Sequence, residues 1–255
     1  MILNCLEVHI SDICNLNCRG CSHFANIETE PNYPSFYEFD KDLRRIKSLF
    51  DEIKMIRVMG GEPLKNEHFI EYLHIARNIF NETDICLVSN GLLVQYISSD
   101  DMRTIAELNV RFSISLYPPT VEIKDELINL FELYGVKYFF TDPITKFRRR
   151  VDMTASNDEK VNFKECLFKD YSFLYHGRFA VCSSPILIEK YNSYFLKNID
   201  VSEDVIDIYA SYVDKKYMEN YFNAPKKCCK YCGKPEEFDW SNQGEPQYND
   251  WLINN

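Results

Sequence analysis

From Leu6 to about Asp142 the chain alternates short strand-like segments with longer amphipathic ones, and this rhythm restricts the fold more than any single motif. LEVHIS, MIRVMG (Met55–Gly60), ICLVSN (85–90), RFSISLY (111–117) and KYFFTD (137–142) are rich in β-branched or aromatic residues and end at polar, glycine or proline signals. DKDLRRIKSLFDEI sets Leu43, Ile46, Leu49, Phe50 and Ile53 on one helical face. HFIEYLHIARNIF and VEIKDELINLFELYG share that spacing, the second closing on Gly135. Regular βα alternation predicts a parallel sheet packed against helices, either open or curled into a barrel. In both forms functional groups collect at the C-terminal ends of the strands.

Five groups share that rim. Cys14, Cys18 and Cys21 follow the first strand, Gly60, Gly61, Glu62 and Pro63 the second, and Ser89, Asn90 and Gly91 the third. Tyr117 with two prolines follows the fourth, and Asp142 the fifth, with the basic run KFRRR (146–150), which reads equally as a grip for phosphate or carboxylate or as a solvated loop. After about Arg150 the rhythm stops. TASNDEK reads as a polar linker, and FLYHGRFAVC (173–182) as a hairpin turning at His176 and Gly177. IDIYASYVDKKYMENYF has the pattern of one helix, and APKKCCKYCGKPEEFDWSNQG that of a cysteine knuckle with a polar tail. The organisation is therefore an α/β domain over residues 1–150 and a smaller, cysteine-rich α+β domain over residues 151–255.

The 255 residues, 45% of them apolar, suffice for one or two domains with a well-filled core. Acidic residues outnumber basic ones 39 to 29, and the net charge of −10 disfavours nucleic acid and anionic membranes as partners. MILNCLEVHISD has no basic n-region, and no apolar run approaches the roughly 20 residues of a membrane span, so the chain reads as cytoplasmic. A reducing compartment does not sustain a framework of disulfides, and ten cysteines then point to metal or redox chemistry. Eight of the ten cluster, as Cys14, Cys18 and Cys21 and as Cys166, Cys182, Cys228, Cys229 and Cys232. Cys5 and Cys86 lie among apolar residues and read as small hydrophobes.

Three thiolates spaced C-x3-C-x2-C can hold three irons of a 4Fe-4S cluster and leave the fourth iron open. The same spacing, with His23 as fourth ligand, can hold zinc. GGEP on the neighbouring strand brings backbone groups unobstructed by side chains at Gly60 and Gly61, a carboxylate at Glu62 and a stiff turn at Pro63. CNLNCRGC, GGEP and SNG, each directly after its strand, together resemble the radical S-adenosyl-L-methionine (SAM) superfamily over about residues 5–142. The resemblance implies a partial (β/α)6 barrel, although only five strands are legible before the linker. It implies that Cys14, Cys18 and Cys21 bind a 4Fe-4S cluster whose open iron chelates SAM. Gly60, Gly61, Glu62 and Pro63 would line the methionine amine, with Ser89, Asn90, Ser113 and Ser115 toward the ribose and carboxylate. One electron, from a reductant such as flavodoxin or ferredoxin, would then cleave SAM to a 5′-deoxyadenosyl radical. Family members usually carry an aromatic residue before the third cysteine. Here that position is Gly20, leaving His23 or Phe24 to face the adenine.

Cys166 before the hairpin, Cys182 after it and the distant Cys229 and Cys232 resemble the twitch module, a shortened relative of the SPASM extension that holds one auxiliary 4Fe-4S cluster. The same four thiolates could instead form a zinc knuckle. An auxiliary cluster implies an electron acceptor, hence oxidation of an alcohol in a sugar, nucleotide-sugar or cyclitol, and in overall plan the chain resembles twitch dehydrogenases of aminocyclitols. Epimerisation, with Cys228 as hydrogen-atom donor, is the second outcome. Peptide modification (RiPP maturation) is a third, disfavoured because no separate leader-binding module precedes the barrel. Glycyl-radical activation leaves the C-terminal cysteines without a use. Tyr117, Asp142, Arg148, Arg149, Arg150 and His176 are candidate substrate contacts by location. A zinc-binding interaction protein without catalysis is the alternative of a different class.

Overall fold

Ser35 fixes the start of helix α1 (Phe36–Leu49): its hydroxyl accepts from the Glu38 amide, and the Glu38 carboxylate accepts from the Ser35 amide. Phe39, Leu43, Ile46 and Leu49 then form the buried face. Phe50 and Ile53, expected on that face, lie beyond it, as the C-cap and in a two-residue strand. Helices α2 (Phe69–Ile79), α3 (Ser99–Glu107) and α4 (Lys124–Tyr134) repeat the pattern, and α4 closes on Gly135 in left-handed backbone, φ 66°. The computed structural model describes residues 1–28, 30–242 and 244–253.

Between the helices run β1 (Cys5–Ser11), β2 (Met55–Gly60), β3 (Asp84–Ser89), β4 (Arg111–Ile114) and β5 (Tyr138–Phe140), parallel neighbours in that order. These are the five strands legible in the sequence. The chain then passes through β6 (Lys146–Val151) and helix α5 (Glu159–Glu165) and returns as β7 (Tyr171–Tyr175), a sixth parallel strand on the free side of β1. Strand β8 (Arg178–Ala180) folds back on β7 through His176 and Gly177, as expected. Both turn residues have positive φ, 48° and 70°, the backbone of a type I′ hairpin. Helix α6 (Ser184–Phe195) follows, and β9 (Ile206–Asp207) closes an eight-stranded mixed sheet of order β9-β8-β7-β1-β2-β3-β4-β5. The sheet is thus continuous across residue 150, and the hairpin assigned to the smaller domain belongs to it.

Two further expectations are corrected. IDIYASYVDKKYMENYF is not one helix: Ile206 and Asp207 pair with β8, and α7 (Lys215–Asn223) starts only after Asp214, whose carboxylate caps the Tyr217 amide. The run KFRRR is not a loop either. It lies in β6, paired antiparallel with β10 (Cys232–Asp239) so that Lys146, Arg148 and Arg149 stand opposite Asp239, Glu237 and Glu236. Opposite charges directly across a ladder favour that register.

The main core packs Val8, Ile56, Ile85 and Phe112 of the sheet against α1 to α4. A second core joins Phe24 and Ile27, just past the third cysteine, to Phe173, Ile186, Tyr191 and Trp251. Among the described residues no helix is long and apolar enough to cross a membrane.

Candidate metal and cofactor centre

The loops after β1 and β2 are zipped together. Gly61 and Glu62 donate their amides to the carbonyls of Ser11 and Ile13, at 2.8 and 2.9 Å. A Cβ on Gly60 would sit 2.0 Å from the Ser11 carbonyl oxygen, and one on Gly61 2.5 Å from that of Ile13. The two glycines therefore permit close approach of the cysteine loop, whose carbonyls take up the Gly61 and Glu62 amides.

Glu62 is wholly buried and links this pair of loops to the third. Its carboxylate accepts from the Ser89 hydroxyl at 2.8 Å, the Asn90 amide at 2.8 Å and the Leu64 amide at 3.1 Å. Burial raises its pKa to about 7 against those three donors. Asn90 reaches the cysteine loop, donating to Asn15 at 2.7 Å and lying 3.7 Å from the Cys14 sulfur. Thr120 holds the Asn90 carbonyl. Ser113 is buried in β4, and Ser115 donates its amide to the Ser89 carbonyl. The structure thus brings together four of the expected rim groups: cysteines, GGEP, SNG and the segment leading to Tyr117.

The far end of the chain closes over the cysteine loop, which the sequence reading missed. The Arg19 amide donates to the Ser241 carbonyl, the Asn17 amide to the Asn242 side chain, and the Arg19 guanidinium to Asp250 at 2.6 Å. Trp251 donates its indole N–H to the Cys21 carbonyl at 2.8 Å, and Trp240 to the Cys18 sulfur at 3.2 Å. Gly20 has φ 65°, and a Cβ there would lie 2.7 Å from the Asp250 carbonyl oxygen and 2.8 Å from the Phe238 ring. The absent aromatic neighbour of Cys21 has this cause: the C-terminal segment occupies its space. Phe24 is not a substitute, being buried against Trp251 at 5.5 Å. His23 is paired with His9 across 2.9 Å. The only two tryptophans of the chain, both in a tail that reads as polar, were the available signal.

Beside the cysteine loop lies a cleft of about 480 Å³ lined by Asp12, Glu28, Asn32, Tyr175, Glu189 and Lys190. Asp12 accepts from Asn32 at 3.0 Å and from the Tyr175 hydroxyl, and Lys190 stands 3.1 Å away. Burial would raise the Asp12 carboxyl, but His9, Lys190 and Tyr175 outweigh it and hold it well below the carboxylate range.

The C-terminal thiols also gather. Cys166 feels the charges of Cys182 and Cys229, and Cys232 those of all three. Cys228, buried, lies close to Cys182 and Cys229 and donates its backbone amide to Asp204 at 2.5 Å. Cys228, expected as a hydrogen-atom donor, thus lies within this group of thiols. In the first set, burial and the Cys21 charge raise the Cys18 thiol to about 12, and burial beside Glu62 raises Cys14. Buried thiols of this kind give up their protons to a metal rather than to water. Among the described residues no three His, Cys, Asp or Glu side chains are set as the ligands of a single metal ion. Three thiols on one loop suit three irons of a 4Fe-4S cluster with the fourth iron left open.

The candidate substrate contacts fare unequally. Tyr117 stays beside the triad, stacked on Trp240 at 5.5 Å, its phenol raised by burial and then by the charges of Cys18, Cys21 and Cys14. Asp142 is exposed in the turn before β6. Arg148 and Arg149 are held by Glu237 and Glu236 at 2.9 and 3.1 Å, and Arg150 lies over the Phe168 ring. His176 sits in the hairpin turn, 3.9 Å from Glu38. These five are not brought to the triad as a group.

The family model of the radical SAM superfamily matches residues 8–136. The chain belongs to the radical SAM superfamily. Its cofactors are accordingly a 4Fe-4S cluster and SAM. Among curated relatives, the GTP 3′,8-cyclase of Clostridium perfringens (strain SM101 / Type A) is 25% identical over 169 residues, 66% of this chain and 47% of that one. The GTP 3′,8-cyclase of Desulforamulus reducens is 31% identical over 121 residues, 46% and 36% of the two chains. This radical SAM chain spans less than half the length of those relatives. Among solved structures, Streptococcus suis SuiB bound to S-adenosylmethionine aligns over 53% of this chain and 33% of its own, with 18% identity and TM-score 0.44. BtrN in an open conformation aligns over 91% and 92%, with 15% identity and TM-score 0.49.

Proposed function

We propose that the chain is a radical SAM oxidoreductase with two clusters. Cys14, Cys18 and Cys21 hold the SAM-binding cluster on a partial barrel. Cys166, Cys182, Cys229 and Cys232 hold a twitch-like auxiliary cluster in the region 151–255. The gathering of the C-terminal thiols carries this reading, since residues far apart in sequence converge on one place with Cys228 packed beside them. When bound, the clusters and SAM supply a 5′-deoxyadenosyl radical that takes a substrate hydrogen atom, and an acceptor for the electron left when an alcohol becomes a carbonyl. Around them, Gly60 and Gly61 let the two loops lock, and Glu62 ties both to Ser89 and Asn90, so SAM meets a preformed wall with Ser113 and Ser115 behind it.

The cleft at Asp12, Tyr175 and Lys190 opens on the same rim and is our candidate for the substrate. Its carboxylates, Asp12, Glu28 and Glu189, outnumber its single lysine. A hydroxylated sugar or cyclitol without phosphate suits that lining, and flavodoxin or ferredoxin in the cytoplasm suits the reductant. GTP cyclisation is the second reading, favoured by the names of the matched relatives. Against it, two of the three arginines that could grip a phosphate, Arg148 and Arg149, are paired with Glu237 and Glu236, and Arg150 lies over the Phe168 ring. Epimerisation, with Cys228 as hydrogen-atom donor, is the outcome that isotope labelling separates from oxidation.

Anaerobic reconstitution tests the proposal. About eight irons and eight sulfides per chain, SAM cleavage under reductant, and a carbonyl product from an unphosphorylated polyol are expected. Two zinc ions without cleavage contradict the enzyme reading, a cyclised product from GTP selects the cyclase, and one deuterium gained in D2O selects epimerisation.

A further inference from the structure

The C-terminal segment that follows β10 is bonded to the cysteine loop at several points. Asn242 and Ser241 bond the backbone at Asn17 and Arg19, and the Asn17 side chain donates to the Gly244 carbonyl at 2.6 Å. Cys18 and Asn242 form an isolated antiparallel bridge. Within this strap the two tryptophans play different parts. Trp251 donates to a backbone carbonyl, that of Cys21, and stacks in the second core on Phe24. Trp240 donates to a sulfur, that of Cys18, and its ring lies parallel to Tyr117, 5.5 Å away with 20° between planes.

We infer that Trp240 is a positioning residue that raises the reduction potential of the N-terminal cluster by hydrogen-bonding the Cys18 thiolate. This rests on Cys18 being an iron ligand. The physical basis is that a cluster gains negative charge when reduced, and a donor fixed on a ligand sulfur stabilises the more negative state. Tyr117 holds the indole plane, and the bonds at Asn17 and Arg19 hold the backbone that carries it, so the N–H is aimed before any metal binds. Trp240 also follows β10 directly, and β10 begins at Cys232. One strand therefore runs from a proposed ligand of the second cluster to a donor on the first.

The test measures the midpoint potential of the cluster whose electron paramagnetic resonance signal changes on adding SAM. Trp240→Phe keeps a ring on Tyr117 and removes the donor. Replacement of Trp240 by benzothienylalanine, which puts sulfur in place of the indole N–H at nearly the same shape, does so without altering packing and serves if the phenylalanine variant fails to fold. Both should make reduction about tenfold less favourable, a shift of about 59 mV to lower potential for one electron, with iron content unchanged. Trp251→Phe, which removes a bond to a backbone carbonyl and trims a core ring but touches no sulfur, should leave the potential where it is. An unchanged potential in the benzothienylalanine protein overturns the inference, as does an equal shift in Trp251→Phe. Cys18→Ala separates this from failure of the underlying assignment: if the SAM-responsive signal survives there, Cys18 is not a ligand.

Discussion

The two cysteine groups are built in opposite ways. The first lies on eight residues of one loop, CNLNCRGC, immediately after β1, and its surroundings come from other strands and from the distant tail. The second is gathered from the end of α5, the end of the hairpin, the helical turn at residues 227–231 and the start of β10. A contiguous triad keeps a site open to an exogenous ligand, because one loop cannot surround a cluster. A group drawn from four elements closes on its contents and ties those elements together. The difference in construction thus parallels the proposed difference in work, chemistry at the first and electron acceptance at the second.

Ligand removal should break this comparison most sharply. Cys14→Ala is expected to abolish SAM cleavage altogether, measured as 5′-deoxyadenosine, and to leave about four irons per chain. Cys229→Ala should also leave about four irons, yet retain SAM cleavage and lose only the carbonyl product. Equal loss of SAM cleavage in both would put the two groups in one site. Next in size is Gly60→Ala. Its Cβ would meet the Ser11 carbonyl oxygen at 2.0 Å, so unfolding should become easier by about 1–3 kcal/mol. For a chain of this size that lowers the melting temperature by roughly 2–4 °C per kcal/mol, and the first cluster should be lost before the second.

Glu62→Gln acts on the first group alone. It turns one of two acceptor oxygens into a donor facing Asn90, Leu64 or Ser89, at a cost of about 1–3 kcal/mol read by denaturant titration. The smallest effect belongs to Arg148→Ala. An exposed cross-strand ion pair contributes at most about 1 kcal/mol, and turnover should not change. A tenfold rise in KM would return Arg148 to the substrate site.

What the sequence reveals of the fold follows from how local each feature is. The cysteine triad, GGEP and SNG each end a strand, so βα alternation alone puts them on one rim, and His176-Gly177 announces its own turn. The bonding of the Gly61 and Glu62 amides was not legible, because it depends on how β2 stands beside β1 past Ser11, where the register shifts. The partner of KFRRR lies some ninety residues away by sequence number, in EEFD, and only the complementary charges of the two runs hint at their pairing. The sixth parallel strand was hidden for a similar reason: YSFLY reads as half of a hairpin, and nothing in it reveals that its other edge meets β1. Trp240 stands in a mostly polar tail, where nothing local to it indicates a partner 222 residues earlier in the chain.

The central claim is that the two cysteine groups hold two clusters of different function. Electron paramagnetic resonance of the anaerobically reduced protein, recorded with and without SAM, tests it directly. Two 4Fe-4S signals are expected, of which SAM alters one, the one that disappears in Cys14→Ala. A single signal, or a SAM-dependent change that survives Cys14→Ala, would contradict it.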